Sequence, residues 1–268
     1  MRVLVNGRED DRIDPMDRGL HYGDGLFETM AVQGGGVRFL DWHLERLAEG
    51  AARLAIPLPE PGTLRAEITA VSAADRGVVK LILTRGAGER GYRPSPHPEP
   101  TRMVFGLSWP ALTPAAWTQG VRVGWCRMRL GRNPRLAGIK HLNRLEQVLA
   151  RAEWDDAAMA EALMMDDREQ AICGTQTNLF ARIADRWTTP VLDQCGVAGV
   201  MRRAFITWAA SRGEPVIERE LPAVEVAGAA ALLLTNAVIG AWPVHELAGR
   251  ALPIDPQAAE FNEWVGRQ

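Results

Sequence analysis

The sequence predicts a mixed α/β fold, α+β in detail, built as two domains. Three observations carry that expectation. At 268 residues the chain can bury one large core or two smaller ones. Its periodic segments are strand-rich, with helices interspersed. A stretch of low charge with two prolines, Ser108 to Ala116, interrupts the pattern near the middle and reads as a linker. The boundary is set accordingly, with a small N-terminal α/β domain over 1–112 and a larger C-terminal domain over 113–268.

Val3-Leu4-Val5 followed by Asn6-Gly7 reads as a hairpin, because both turn positions need a positive φ that Asn and Gly adopt readily. A loop, Asp14 to Gly25, precedes a strand from Leu26 to Gln33 that ends in the turn Gly34-Gly35-Gly36. From Asp41 apolar residues recur at helical spacing (Trp42, Leu44, Leu47, Ala51, Leu54) until Pro57 stops the helix. A second helix, Gly62 to Ala74, leads to strands Gly77 to Thr84 and Arg102 to Leu107, which flank a Gly- and Pro-rich loop. Beyond the linker come a strand (Gly120 to Arg127), a loop and a helix after Lys140. Strands near Ala162 to Met165 and Asn178 to Ile183 follow, then a helix within Val197 to Arg212. Val226 to Val244 carries no charge and is long enough to raise a membrane span. Breaks at Gly228, Thr235, Asn236, Gly240 and Pro243 make it a helix end, a buried strand (Ala231 to Leu234) and a polar turn.

Hydrophobic residues are 47% and charged residues 24% of the chain, as in ordinary globular proteins. A formal net charge of −2, with arginines dispersed among acids, leaves no electrostatic footprint for nucleic acid or an anionic membrane. Cys126, Cys173 and Cys195 are odd in number and widely spaced, which argues against a disulfide framework or a metal site and for a reducing compartment. The first ten residues meet charge too early for a signal peptide. The expectation is a soluble, cytoplasmic protein.

Lysine is the most informative residue type. Of 31 lysines and arginines, only Lys80 and Lys140 are lysines. Arginine stays protonated and is a poor nucleophile, whereas a desolvated lysine can lose its proton and attack a carbonyl. Lys80, inside the apolar run Val78 to Leu83, reads as a packed stem with its head in water. Lys140 has the more unusual surroundings.

Five segments together resemble the fold type IV pyridoxal-phosphate enzymes, the family of branched-chain and D-amino-acid aminotransferases and aminodeoxychorismate lyase. They are Asp17-Arg18-Gly19 with Tyr22-Gly23-Asp24-Gly25-Leu26-Phe27-Glu28-Thr29; His43-Leu44-Glu45-Arg46-Leu47; and Thr84-Arg85-Gly86 with Arg90-Gly91-Tyr92. The Lys140 segment, Gly138 to Gln147, is the fourth, and Thr177-Asn178-Leu179-Phe180 with Gly196 to Arg202 completes the set. The resemblance implies a larger domain that is barrel-like, a homodimer, and pyridoxal 5'-phosphate held covalently by Lys140. It implies that Arg46, the Val197-Ala198 turn and the Asn236-Ala237 turn contact the phosphate, and that Phe27, Arg90 and Tyr92 bind substrate. Around the lysine the chain looks most like the lyase branch: Leu145 stands where branched-chain enzymes have a tyrosine. The implied substrate is 4-amino-4-deoxychorismate, on the way to folate, with 4-aminobenzoate and pyruvate as products.

One position departs from the family. Five residues before the asparagine of Asn178-Leu179-Phe180, where the family places a glutamate against the pyridine nitrogen, this chain has Cys173. A neutral thiol is no substitute for a carboxylate at pH 7. The departure disfavours transamination more than elimination, and it leaves a D-amino-acid aminotransferase or a non-catalytic relative as the alternatives.

Overall fold

The computed structural model describes residues 1–268 as two compact units. The first comprises Met1–Pro110 and Ile139–Asn143, and the second Ala111–Gly138 and Arg144–Gln268. The break falls within the expected linker, but the segment carrying Lys140 is counted with the N-terminal unit, a correction to its expected place in the C-terminal domain. Its backbone bonds, described below, explain why.

The first unit opens with β1 (Arg2–Val5), β2 (Arg8–Glu9), α1 (Arg18–Tyr22), β3 (Gly25–Gln33) and β4 (Gly36–Val37). Then come α2 (Leu40–Leu54), α3 (Pro61–Val71), β5 (Arg76–Thr84) and β6 (Arg102–Ser108). The six strands form one antiparallel sheet in the order β2-β1-β6-β5-β3-β4. Asn6 and Gly7 take φ of 50° and 80° in the first hairpin, as the turn demands. Helix α1 occupies part of the expected loop. It is too short to show periodicity, and it exists because the Asp17 carboxylate caps Gly19 N–H while Gly23 closes it with φ 62°.

The pleat of β3 and β5 separates two kinds of surface. Leu26, Glu28 and Met30 are buried on one face, while Phe27 and Thr29 are half-buried on the other. Phe27 lies opposite Ile82, and Thr29 opposite Lys80. Leu44, Leu47 and Ala51 are the buried stripe of α2.

The second unit begins with α4 (Ala115–Thr118), β7 (Val121–Leu130), α5 (Leu145–Arg151), β8 (Met159–Asp166), β9 (Ala171–Gly174) and β10 (Asn178–Ile183). Next are β11 (Arg186–Pro190), α6 (Val200–Ser211), β12 (Ile217–Arg219), α7 (Ala223–Ala227) and β13 (Ala231–Asn236). It ends with β14 (Gly240–Leu247), β15 (Arg250–Ala251) and α8 (Gln257–Val265). The path β10-β13-β14-β7-β8-β9 returns to β10 through the pair Cys173–Asn178, so six strands close a barrel. Pro243, read as part of a turn, lies inside β14 opposite Leu233. Phe205 of α6 packs against Phe180, Trp187, Trp208 and Phe261, joining helices and barrel wall in one aromatic core. No helix is long and apolar enough to cross a membrane.

Gly106 shows how tightly the first unit is packed. A Cβ there would stand 2.2 Å from the carbonyl oxygen of Val71, the last residue of α3. Gly106→Ala is expected to cost roughly 1–3 kcal/mol through overpacking, read as a lowered denaturant midpoint. An unchanged midpoint would show that α3 gives way freely.

Candidate active site

The Lys140 segment is laced to the start of β3. Phe27 N–H donates to Lys140 O at 3.0 Å, Leu142 N–H donates to Gly25 O at 2.9 Å, and Asn143 Nδ2 donates to Gly23 O at 3.0 Å. Two glycines permit this approach. A Cβ on Gly25 would lie 2.5 Å from Leu83 O and 2.8 Å from Leu142 Cδ1, and one on Gly23 would lie 2.7 Å from Asn143 Oδ1. The lacing sets Lys140 Nζ 4.1 Å from the centroid of the Phe27 ring, within cation–π range. Two residues expected at the site, Lys140 and Phe27, are thus brought together.

Arg46 is held by a carboxylate that sequence reasoning gave no role. Its Nε donates to Glu28 Oε1 at 2.8 Å and its Nη2 bonds Glu28 Oε2, while His43 Nδ1 meets Glu28 Oε2 at 2.6 Å. All three side chains are buried or nearly so. Burial opposes the charge on Glu28, but the Arg46 charge and the His43 hydrogen bond overcome it and hold the carboxyl at about 2. Burial keeps His43 below the usual imidazole value, hence neutral. Glu28 takes one edge of the guanidinium and fixes its orientation.

In the second unit, Asn178 anchors the turn before α6. Its Nδ2 donates to Val197 O at 2.8 Å, and a Cβ on Gly199 would fall 2.0 Å from its Oδ1. Gly196 takes φ 86°, and Gly199, the residue capping α6, offers no side chain to the first-turn N–H groups. A turn of this kind, at the start of a 12-residue helix, is the cradle that a phosphate fits. The two expected donors differ, however. Ala198 N–H already donates to Gly138 O at 2.9 Å, whereas Val197 lies on that bridge with its N–H turned to the other side. Asn236 Oδ1 accepts from Val238 and Ile239 N–H and so builds its own turn around Ala237.

Cys173 pairs with Asn178 at the closure of the barrel and is 7% exposed. Burial pushes its thiol well above the ordinary cysteine range, so it is a neutral S–H. The adjoining loop hangs on Glu161, a fully buried carboxylate that sequence reasoning missed. It accepts from Thr175 N–H at 3.0 Å, Thr175 Oγ1 at 2.5 Å, Gln176 N–H at 3.1 Å and Thr177 Oγ1 at 3.2 Å. A lone acid inside the apolar run Ala160 to Met165 is the signal that could have found it.

Arg90 and Tyr92 are exposed, Tyr92 at 85%, on a loop whose backbone is nonetheless anchored. Buried Arg18 donates to Gly91 O and Tyr92 O, each at 2.9 Å, and to Asp24. Arg85 grips the same Asp24 and donates to Leu54 O and Ala55 O at the end of α2. Burial raises the cost of charge on Asp24, yet Arg85 and Arg18 keep it below the usual carboxylate range.

The model of the family described as amino-transferase class IV matches residues 25–247. Aminodeoxychorismate lyase of Vibrio harveyi is 34% identical over 252 residues, covering 94% of this chain and 93% of that protein. The crystal structure of 4-amino-4-deoxychorismate lyase from Pseudomonas aeruginosa superposes with a TM-score of 0.94 at 44% identity, covering 99% of this chain and 98% of that one. The PLP-bound form of a hypothetical aminotransferase from Mycobacterium tuberculosis shares the fold, with a TM-score of 0.83 at 22% identity, covering 99% and 97%.

The buried Glu28 carboxylate carries a pH signature. Its folded value lies near 2 against an ordinary 4.5, so its stabilisation is complete above about pH 4.5 and is lost as pH falls toward 2. Glu28→Gln is expected to lose roughly 3 kcal/mol at neutral pH, with the gap to the parent narrowing through that acid window. Denaturant unfolding at several pH values reads this, and a gap that does not narrow would overturn it.

Proposed function

This chain belongs to the amino-transferase class IV family, and on that premise we propose that it is a pyridoxal 5'-phosphate-dependent lyase. Its reaction would convert 4-amino-4-deoxychorismate to 4-aminobenzoate and pyruvate, a step toward folate. The observation that carries the reading is the seat of Lys140: an amine laced onto β3 and set against the Phe27 ring in a chain with one other lysine. The similarity to two such lyases over nearly the whole chain supports the choice of substrate. Pyruvate release from 4-amino-4-deoxychorismate without any amino acceptor is the deciding assay.

The residues fit the cofactor at two of its three ends. In the second unit the uncapped turn at Gly196–Gly199, which Asn178 shapes, suits a phosphate through the Val197 N–H, and in the first unit the Arg46 guanidinium suits one by its charge. The Asn236-Ala237 turn supplies a second, polar loop to the same end. Lys140 suits the carbonyl carbon. When bound, the cofactor would supply an electron sink for the carbon that bears the substrate amine. The Lys140 amine would remove the proton from that carbon, a contribution of about 10²–10⁴-fold for a positioned base. The electron pair released expels enolpyruvate, which becomes pyruvate, and the ring becomes aromatic. Phe27 keeps water from one side of the amine, and Arg90 and Tyr92 receive substrate from their Arg18-anchored loop.

At the third end the chain departs from a strong electron sink. Cys173 stands where a carboxylate would pair with the pyridine nitrogen, and a neutral thiol leaves that nitrogen without a counter-charge. Elimination tolerates this because aromatisation drives it, whereas transamination must store the full carbanion charge on the cofactor. The protein is further read as a cytoplasmic homodimer. The apolar stripe Leu145, Val148 and Leu149 on α5, exposed by 76%, 59% and 56%, supports a partner surface.

Lys140→Ala should abolish both pyruvate release and the borohydride-trapped link to the cofactor. Turnover near the parent rate would sink the assignment. Cys173→Glu should speed the alanine half-reaction while pyruvate release changes less. A folded, loaded Cys173→Glu protein with an unchanged half-reaction would remove Cys173 from the ring nitrogen.

A further inference from the structure

Lys80 shares an aromatic neighbour with Lys140. It lies in β5, opposite Thr29 on one side and Phe105 on the other, on the half-buried face of the sheet. Its Nζ stands 5.7 Å from the centroid of the Phe27 ring, the same ring that carries Lys140 Nζ at 4.1 Å. A chain that uses arginine for nearly all its cations therefore sets both of its lysines against a single aromatic side chain.

Charge accounting sharpens the point. Four arginines of this unit meet carboxylates: Arg18 and Arg85 on Asp24, Arg46 on Glu28, Arg102 on Glu67. Lys80 makes no such pair, and its neighbours on that face, Phe27, Thr29, Ile82 and Phe105, bring no acid. Holding a cation at a partly desolvated apolar surface without a counter-ion costs stability unless an anion arrives from outside. Lysine suits that task where space is short, because its ammonium is a compact point charge with three donors on a flexible stem.

We propose that Lys80 is a substrate-binding residue whose ammonium receives a carboxylate of the substrate while the amine-bearing carbon of the substrate lies at Lys140. The proposal rests on the lyase reading, which supplies a molecule with one amine and one carboxylate on a six-membered ring and a second carboxylate on its enolpyruvyl group. Such a dianion suits two cations besides Lys140, and Arg90 is the other. The two ring distances limit the span between the ammonium groups to about the length of such a molecule.

The test compares Lys80→Gln and Lys80→Arg with the parent in the cofactor-loaded enzyme. Losing a charge-assisted bond is expected to raise KM for 4-amino-4-deoxychorismate roughly 10- to 100-fold in Lys80→Gln, with kcat within a few-fold. Lys80→Arg, which keeps the charge, should recover most of the loss. Chorismate, a dicarboxylate without the amine, gives a second readout, since its Kd by titration calorimetry should weaken in parallel in Lys80→Gln. Should Lys80→Gln fail to fold, Lys80→Met keeps the apolar stem and carries the same expectation. Unchanged KM and unchanged chorismate affinity in the neutral variant would overturn the proposal, as would a fall in kcat alone. Failure of the lyase reading itself shows differently, as a parent enzyme that releases no pyruvate.

Discussion

Two backbone hydrogen bonds, Phe27 N–H to Lys140 O and Leu142 N–H to Gly25 O, are the constraint from which the candidate site follows. They make a five-residue segment a neighbour of β3 although more than a hundred positions separate them in the chain. The approach is so close that side chains are excluded at Gly23 and Gly25, which accounts for the glycines of Tyr22-Gly23-Asp24-Gly25 in steric terms. The same lacing decides which side of the strand the lysine meets. Because successive residues of β3 point to opposite faces, Phe27 turns toward the amine while Glu28 turns into the core beside α2.

Buried acids orient the arginines of the first unit and gather one loop of the second. Glu28 aims Arg46, Asp24 joins Arg18 to Arg85, and Glu161 gathers the loop between β9 and β10. Each acid is satisfied by several donors, which is the condition for burying a carboxylate at all. Arginine serves in these pairs because its planar fork can bond a carboxylate and a carbonyl together, as Arg18 and Arg85 both do. The strong bias toward arginine in the composition thus has a structural counterpart.

Much of this was legible before any coordinates. Asn6-Gly7, the strand Asn178 to Ile183 and the helix from Asp41 declared themselves through turn chemistry and periodicity, and those signals are local. Lys140 stood out by its rarity. What escaped was non-local or too short for a period. Helix α1 depends on the Asp17 cap, and Glu161 matters only because Thr175 and Thr177 fold back onto it. The closeness of Lys80 to the Phe27 ring depends on a neighbour on the next strand, which no linear pattern displays. The place of Ile139–Asn143 with the first unit is of the same kind.

The barrel of the second unit closes through a single residue pair, Cys173 with Asn178, across a strand of four residues. Asn178 also holds Val197 O, and the loop between the paired residues hangs on Glu161. A fluctuation that parts this seam therefore releases the turn before α6 at the same moment, so local opening and loss of the anion cradle are one event and not two. Amide exchange along β9 and around Val197 would share a single opening free energy, lower than that of the core strands, and anything gripping the cradle would slow both together.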